Sequence, residues 1–436
     1  MIVDQISKSV GGGAGVAADR LHRALRSNGV DSRFWCADPP QLSDNLGGYY
    51  RLNWLTAGRP IWERAWHQVR RKFRKRRIGA ELRRATEGRS PSLEVFTVPE
   101  QAMQTPYRPN LGMADVVHLH WISQLIDIPS FFLSLPNSIP IVWTLHDMNP
   151  FTGGCHYNHG CDAYLSSCQN CPQLAYGSGG DLAAKSFEIK LRALQDKHLH
   201  IVTPSQWLYR EAKRSRLLRS VRSIRCIGYA IDTTVFAPMD RGKARAELGL
   251  PSDRCVVAFG AESVQNGRKG IRQLMEALAK IRPANKLVGL AIGGGDLADQ
   301  QAVPIPIHRM GYVRDPQRQA TAYAAADLFV LPSLEDNLPQ MGIEALSCGT
   351  PVVAFDAGGI PDYVQHGVTG RLAPVGDVNA LASQIQDLVI RQDQRNEFGR
   401  QGRKFVLEHY AEHVVAEAHR RFYASLLEGS KARAAA

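Results

Sequence analysis

No apolar run in this 436-residue chain approaches the roughly 18 residues that a membrane-spanning helix needs, so no spanning segment is expected. The opening residues, MIVDQIS, lack a basic region followed by a long apolar stretch. They read as a first β-strand and not as a signal peptide, and a cytoplasmic location is the expectation. No two aspartates stand one residue apart, so a metal-binding D-x-D pair is missing. Nothing points to global disorder: apolar residues make up 44% of the chain and charged ones 22%, enough to build large cores. The length exceeds one ordinary domain, and two or three are expected. Cysteine is scarce, with eight in all, yet four of them fall between Cys155 and Cys171.

The net charge of +12 is concentrated. Residues 59–89 hold twelve Lys or Arg against three acids (Glu63, Glu81 and Glu87), a local excess of nine. Within them Trp62, Trp66, Val69 and Phe73 recur at the spacing of one helix face. Three readings fit such a segment. It can lie on an anionic membrane surface, bind nucleic acid, or be a solvated helix whose apolar stripe is core. The expectation is the first, over residues 60–84, with the protein peripheral at the inner membrane face and no nucleic-acid partner.

Two βα series organise the chain. The first opens with a strand at Ile2–Ile6, a glycine-rich loop Gly11–Gly15, a helix from about Val16 to Ser27, and a strand at Val30–Ala37. Further strands are expected at Val116–His120, Ile141–Leu145 and His200–Thr203, with Phe96–Pro99 as a further candidate. The second begins afresh at Val256–Gly260. It continues through a helix near Ile271–Lys280, strands at Leu287–Ile292 and Ile307–Met310, a helix at Pro316–Ala325 and a strand at Leu328–Leu331. Helices at about Ala382–Ile390, Arg395–Glu408 and His413–Leu427 close the chain, and Gly429–Ala436 is expected to be loose. The fold class is α/β, with two facing Rossmann-like domains and a cleft between them. The expected domains are 1–228, 229–410 and a terminal helix, 411–436, crossing back to the first.

The segment SLEDNLPQMGIEALSCGTPVVAF, Ser333–Phe355, carries the most chemistry. An apolar strand leads into a loop with Asp336, a helix with Glu344, a tight turn and a second apolar strand. Ligands of open α/β sheets bind at the carboxyl ends of strands, where helix N-termini attract phosphate and acids accept hydrogen bonds from hydroxyls. The segment closely resembles the donor-site motif of family 4 of the retaining GT-B glycosyltransferases, in which two acids stand eight positions apart before CGTPVV and GGxPD. Glu344 matches the second acid. Asp336 stands where the first, usually Glu, is found, beside Glu335, which leaves open which carboxylate faces the sugar. The resemblance implies a GT-B fold and donor contacts from Asn337, Leu338, Pro339 and Gln340. It implies that Glu344 binds ribose hydroxyls and that Tyr312 and Val313 hold the nucleotide base. Gly358–Asp362 reads as a packing turn.

Other motifs extend the likeness. Gly12 and Gly13 fall in a loop that in this family lies beside the donor diphosphate; the loop alone, with Asp38 after the second strand, also suits a nicotinamide dehydrogenase. His118 and His120 alternate onto one face of a strand, and the family's H-x-H places the second His against the reacting sugar. His146 and Asp147 match T-x-H-D and are expected on the acceptor side. Lys269 matches the lysine that contacts the diphosphate, with Arg268 as helper; the family's earlier Arg is absent. Without D-x-D, these cations and helix N-termini are expected to replace a catalytic metal. The catalytic set is His120, Asp336 and Lys269.

Cys155, Cys161, Cys168 and Cys171 are spaced C-x5-C-x6-C-x2-C, with His156 and His159 among them. Structural zinc is expected, with two disulfides or free thiols as alternatives. The implied function is transfer of a hexose from a UDP- or GDP-sugar to a hydroxyl of a glycan or lipid-linked sugar, with retention. The alternatives are a non-catalytic sugar-nucleotide-binding protein and a nucleotide-sugar epimerase on the same fold.

Overall fold

The structure is a computed structural model that describes residues 1–39, 47–52, 61–107, 114–175, 181–263, 266–295 and 303–434, with residues 61–67, 261–263 and 430–434 described in backbone alone. It forms two compact units: Met1–Ile227 with Ala416–Ala436, and Gly228–Val415.

Unit 1 is built on β1 (Ile2–Ile6), α1 (Gly12–Ser27), β2 (Asp31–Cys36), β3 (Tyr49–Arg51), α2 (Ile61–Ala85), β4 (Val116–Leu119), α3 (Ile128–Ser134), β5 (Ile141–Thr144), α4 (Leu182–Leu194), β6 (Leu199–Thr203), α5 (Gln206–Arg214) and β7 (Ser223–Cys226). Its seven parallel strands run in the order β3-β2-β1-β4-β5-β6-β7. The central strands are buried on both faces, as a sheet covered by helices on both sides requires.

Unit 2 follows with α6 (Arg241–Leu248), β8 (Cys255–Ser263), α7 (Ile271–Leu278), β9 (Leu287–Gly294), β10 (Ile307–Gly311), α8 (Pro316–Ala325), β11 (Leu328–Leu331), α9 (Gln340–Ser347), β12 (Val352–Phe355), β13 (Gly370–Ala373), α10 (Val378–Ile390) and α11 (Gln392–His409). Its six strands are also parallel, in the order β10-β9-β8-β11-β12-β13. Counted from its own first strand this is 3-2-1-4-5-6, the doubly wound order, and unit 1 shows the same order plus β7. In each unit the order reverses beside the first strand: between β1 and β4, and between β8 and β11. Those reversals are where α/β sheets bind ligands. At the opposite end of β11, buried Asp327 pairs with Arg245 at 2.6 Å and Arg241 at 3.2 Å and accepts from Val256 N at 2.7 Å. This pins α6 to the sheet.

The last helix, α12 (Glu412–Ala434), belongs from Ala416 onward to unit 1. Its Tyr423 is fully buried and its hydroxyl lies 2.6 Å from His118 Nδ1, while His118 Nε2 lies 2.8 Å from Thr144 Oγ1.

The structure corrects several boundaries. Phe96–Pro99 is not a strand: Phe96 instead packs flat on Gly154, where a Cβ would come within 2.5 Å of its ring. The short edge strands β3 and β7 carry exposed polar residues and offer no apolar run to read. The helix α1 starts at Gly12, inside the glycine run, and α12 runs on to Ala434, into the segment expected to be loose. Tyr423→Phe removes the hydroxyl and leaves a buried imidazole nitrogen unsatisfied. Chemical denaturation should show a loss of about 1–3 kcal/mol, and Tyr423→Leu, which also opens a cavity, should lose more.

Candidate active site

In unit 2 the loop after β8 and the loop after β11 meet at the order reversal. Arg268 and Lys269 lie in a single 3-10 turn, Gly267–Lys269, capped by Asn266, whose Oδ1 accepts from Arg268 N at 3.1 Å. Gly270 follows at φ +65°, and a Cβ there would stand 1.8 Å from the Pro332 carbonyl oxygen. Only glycine lets this turn press against the end of β11. The backbone then ties both loops, with Leu334 N donating to Arg268 O at 2.8 Å.

Asp336 fills the space between them. Lys269 Nζ lies 2.6 Å from its Oδ2 and Arg268 Nη1 3.2 Å from its Oδ1. Ser333 Oγ donates to Oδ2 at 3.2 Å and Asn337 N to Oδ1 at 3.1 Å. Four donors thus occupy the four lone-pair positions that a carboxylate offers. Arg268 Nη1 also donates to Glu335 O at 2.7 Å. Burial pushes the Asp336 carboxyl up, but Lys269 and Arg268 outweigh it and hold it down at about 2. Gly358, at φ +56°, would place a Cβ 1.8 Å from Asp336 O, and Gly359 N donates to that oxygen at 3.0 Å. The GGxPD turn therefore clamps the Asp336 backbone.

Asn337 and Leu338 are buried, and Pro339 caps the start of α9 with Gln340 as its first residue. Glu344, one turn further on, is buried and accepts from the Tyr323 hydroxyl at 2.9 Å. Tyr312 is about half exposed, whereas Val313 is buried with its carbonyl held by Gln319 Nε2 at 2.8 Å.

In unit 1, Gly12 and Gly13 form the first turn of α1. At the end of β4 the buried imidazoles are linked. His120 Nε2 lies 2.9 Å from Gln5 Oε1 and His120 Nδ1 lies 3.2 Å from His146 Nε2. Gln5 Nε2 donates to Ser32 Oγ at 2.6 Å. With the amide so oriented, His120 carries its proton on Nε2 and accepts from His146 through Nδ1. Burial, then the neighbouring imidazoles, lower His118 and His120 well below 6.5; burial lowers His146 to about 4. All three are neutral at pH 7. Burial pushes Asp147 up, but His156 at 2.7 Å, Asn149 N at 2.8 Å and Trp121 Nε1 at 2.9 Å bring it net below its ordinary value. Asp147 thereby orders the loop after β5.

Sequence reasoning missed Gln5, Ser333, Tyr323 and Tyr423. Gln5 carried a signal, because a polar residue inside an apolar strand must find a buried partner. Tyr323 and Tyr423 had none, since their partners are 21 and 305 residues away, and Ser333, three residues before Asp336, is one of many serines in a loop.

Cys155, Cys161, Cys168 and Cys171 line one pocket with Phe96 and Tyr164. All four are free thiols, and the described residues contain no group of three or more His, Cys, Asp or Glu placed to hold a metal ion. Cys168 Sγ accepts from Gly153 N at 3.1 Å, and burial pushes the Cys155 and Cys168 thiols up to about 12.

The fold is that of the GT-B glycosyltransferases. It is similar along nearly its whole length to sucrose-phosphate synthase from Thermosynechococcus elongatus, with a TM-score of 0.65 at 20% identity over 98% of this chain and 99% of that one. It is similar to Anabaena HepE in complex with UDP and glucose, with a TM-score of 0.60 at 14% identity over 98% and 100%. Residues 254–391, which contain the Lys269–Asp336–Glu344 set, match the family of glycosyl transferases group 1. The D-inositol 3-phosphate glycosyltransferase of Mycobacterium tuberculosis is 37% identical over 173 residues, covering 36% of this chain and 34% of the relative. The chain thus spans about a third of the length of the curated relatives it matches.

Because the folded-state pKa of Asp336 lies below the unfolded value, its stabilisation is present above about pH 4 and is lost as pH falls through about 2. In Asp336→Asn that acid-sensitive step should vanish from the unfolding free energy, read by denaturant titration from pH 7 downward. At pH 7 the variant should be destabilised by roughly 3–5 kcal/mol, because Arg268 is left buried beside a neutral amide.

Proposed function

We propose that this chain is a glycosyltransferase that moves a hexose from a nucleotide-diphosphate sugar, UDP- or GDP-linked, to a hydroxyl of a glycan or lipid-linked sugar with retention of configuration. The observation that carries the reading is the Arg268–Asp336–Lys269 cluster at the order reversal of a unit whose residues 254–391 match group 1 glycosyl transferases. The neighbour that holds UDP and glucose, and the relative named as an inositol-phosphate glycosyltransferase, support a nucleotide sugar as donor.

In this reading the bond from the sugar C1 to the diphosphate oxygen breaks while the acceptor oxygen bonds to C1 from the same face. The acceptor proton passes to the departing diphosphate. Negative charge grows on that diphosphate, and Lys269, Arg268 and the peptide N–H groups opening α9 oppose it. Lys269 keeps 22% of its side chain exposed and can turn from Asp336 to a phosphate oxygen; Arg268, at 6%, stays where it is. Glu344 accepts from the ribose hydroxyls, and the backbone at Tyr312 and Val313 meets the base. The resemblance assigns His118, His146 and Asp147 to the acceptor side and His120 to the donor sugar. Both His120 ring nitrogens are engaged inside unit 1, so His120 meets a sugar only by exchanging Gln5 or His146 as partner.

Mass spectrometry of products from a panel of UDP- and GDP-sugars tests the reading. One donor should be consumed with release of its nucleoside diphosphate. Lys269→Ala should lower kcat/KM by about 10²–10³, the size typical of losing one preorganised donor to a developing anion. If no donor is consumed and calorimetry detects no binding of UDP or GDP, the reading fails.

A further inference from the structure

The helix α2 presents two faces, and only one is used. Along its second half Ala85 is buried in the core of unit 1 and Leu82 packs against that core. Polar ties fix the same side. Arg74 lies 2.7 Å from Asp127 and 3.6 Å from Glu100, and Lys185 lies 2.6 Å from Glu81. At about 100° per residue, Arg74, Ile78, Glu81, Leu82 and Ala85 spread over about 100° around one direction. Val69 and Phe73 point away from that direction by more than about 100°. They are 45% and 66% exposed. Val69 and Phe73 are therefore not on the face that packs on the unit; Trp62 and Trp66, the other two residues of the stripe, lie outside the described side chains.

What surrounds the stripe is cationic. Arg70, Lys72 and Arg76 are exposed beside it, and among the described side chains none of the three has an acidic partner. By helical register Lys72 and Arg76 flank Val69 and Phe73 on one side, and Arg70 and Arg77 on the other. An exposed aromatic and a β-branched residue in the centre, with long cations on both shoulders, matches the interface of a bilayer. There Phe and Val enter the acyl boundary while Lys and Arg stems lie along it and reach the headgroups. A nucleic-acid groove needs the cations but gives no partner to Val69.

We infer that the outward face of α2, centred on Val69 and Phe73, docks unit 1 onto an anionic lipid surface. The inference is independent of the catalytic reading, since it uses no donor-site residue. Each Lys or Arg near such a surface contributes about 1 kcal/mol, and the contribution is screened by salt.

Flotation of the full chain with vesicles tests it. The protein should float with phosphatidylcholine vesicles containing phosphatidylglycerol at low salt, and remain behind with phosphatidylcholine alone. Arg70→Gln/Lys72→Gln/Arg76→Gln should weaken binding on the order of a hundredfold. Val69→Ser/Phe73→Ser should make the residual binding fully salt-reversible. Both variants change exposed positions, so their melting temperatures should match the parent's, which separates lost docking from lost folding. The inference is overturned if the parent ignores anionic vesicles at low salt or if the triple variant binds them as tightly. It is equally overturned if the parent binds a duplex or single-stranded oligonucleotide while ignoring the vesicles.

Discussion

The carboxylate of Asp336 is the point on which the second unit's chemistry turns. It sits beyond the end of β11, buried, and holds two cations from a loop 67 residues earlier. A buried ion pair is a poor way to gain stability, because desolvating each charge costs about as much as the pair returns. Here three charges are gathered with good geometry, and the backbone is shaped around them. Gly270 lets the cation turn touch Pro332, and Gly358 lets the GGxPD turn touch Asp336. Neither approach tolerates a Cβ. The arrangement spends stability to fix the direction of Lys269 and Arg268, which is what preorganised recognition of an anion demands.

The first unit repeats the strand order with different electrostatics. Its reversal, between β1 and β4, gathers three neutral imidazoles: His118, His120 and His146 are all held below their ordinary values by burial. They are joined to Gln5, Thr144 and Tyr423 by hydrogen bonds and not by ion pairs. Such a set suits uncharged hydroxyls, whose donors and acceptors it can match, and has little to offer a diphosphate. One topology thus carries a cationic site in one unit and a neutral polar site in the other. The difference rests on a few residues after the first and fourth strands.

Where the sequence was legible, the reason was local. The strands β11 and β12 and the helix α8 fell within the expected bounds because uninterrupted apolar runs and an Asp-Pro helix start are signals within one element. Edge strands β3 and β7 are short and half-polar and carry no such signal. Phe96–Pro99 is apolar enough to look like a strand, yet Phe96 spends its ring on Gly154 and pairs with no ladder. In the site, residue types and spacing pointed to Lys269, Asp336 and Glu344, but their mutual arrangement did not follow. That Asp336 would be saturated by Lys269 and Arg268 depends on two loops meeting in space. The cysteines show the converse. Their spacing resembles a ligand set, and the chain does bring all four to one pocket. There Cys168 accepts from Gly153 N, a partner that the spacing does not announce.

The same distinction between count and placement decides the basic helix. Residues 59–89 supply nine of the chain's twelve excess positive charges, so the rest of the protein is close to balanced and the field is local. Within α2 the charges divide by direction. Arg74 and Arg77 find Asp127 and Glu100, and Arg70, Lys72 and Arg76 beside Val69 and Phe73 find no acid among the described side chains. A helix that only needed solubility would not keep Phe73 exposed among them, since apolar surface in water is unfavourable and none of the described side chains of unit 1 covers it. Nor would a helix that only needed anchoring carry a second apolar stripe facing away from its own core. Both costs become reasonable if the outward face meets a phase that is apolar within and anionic at its surface.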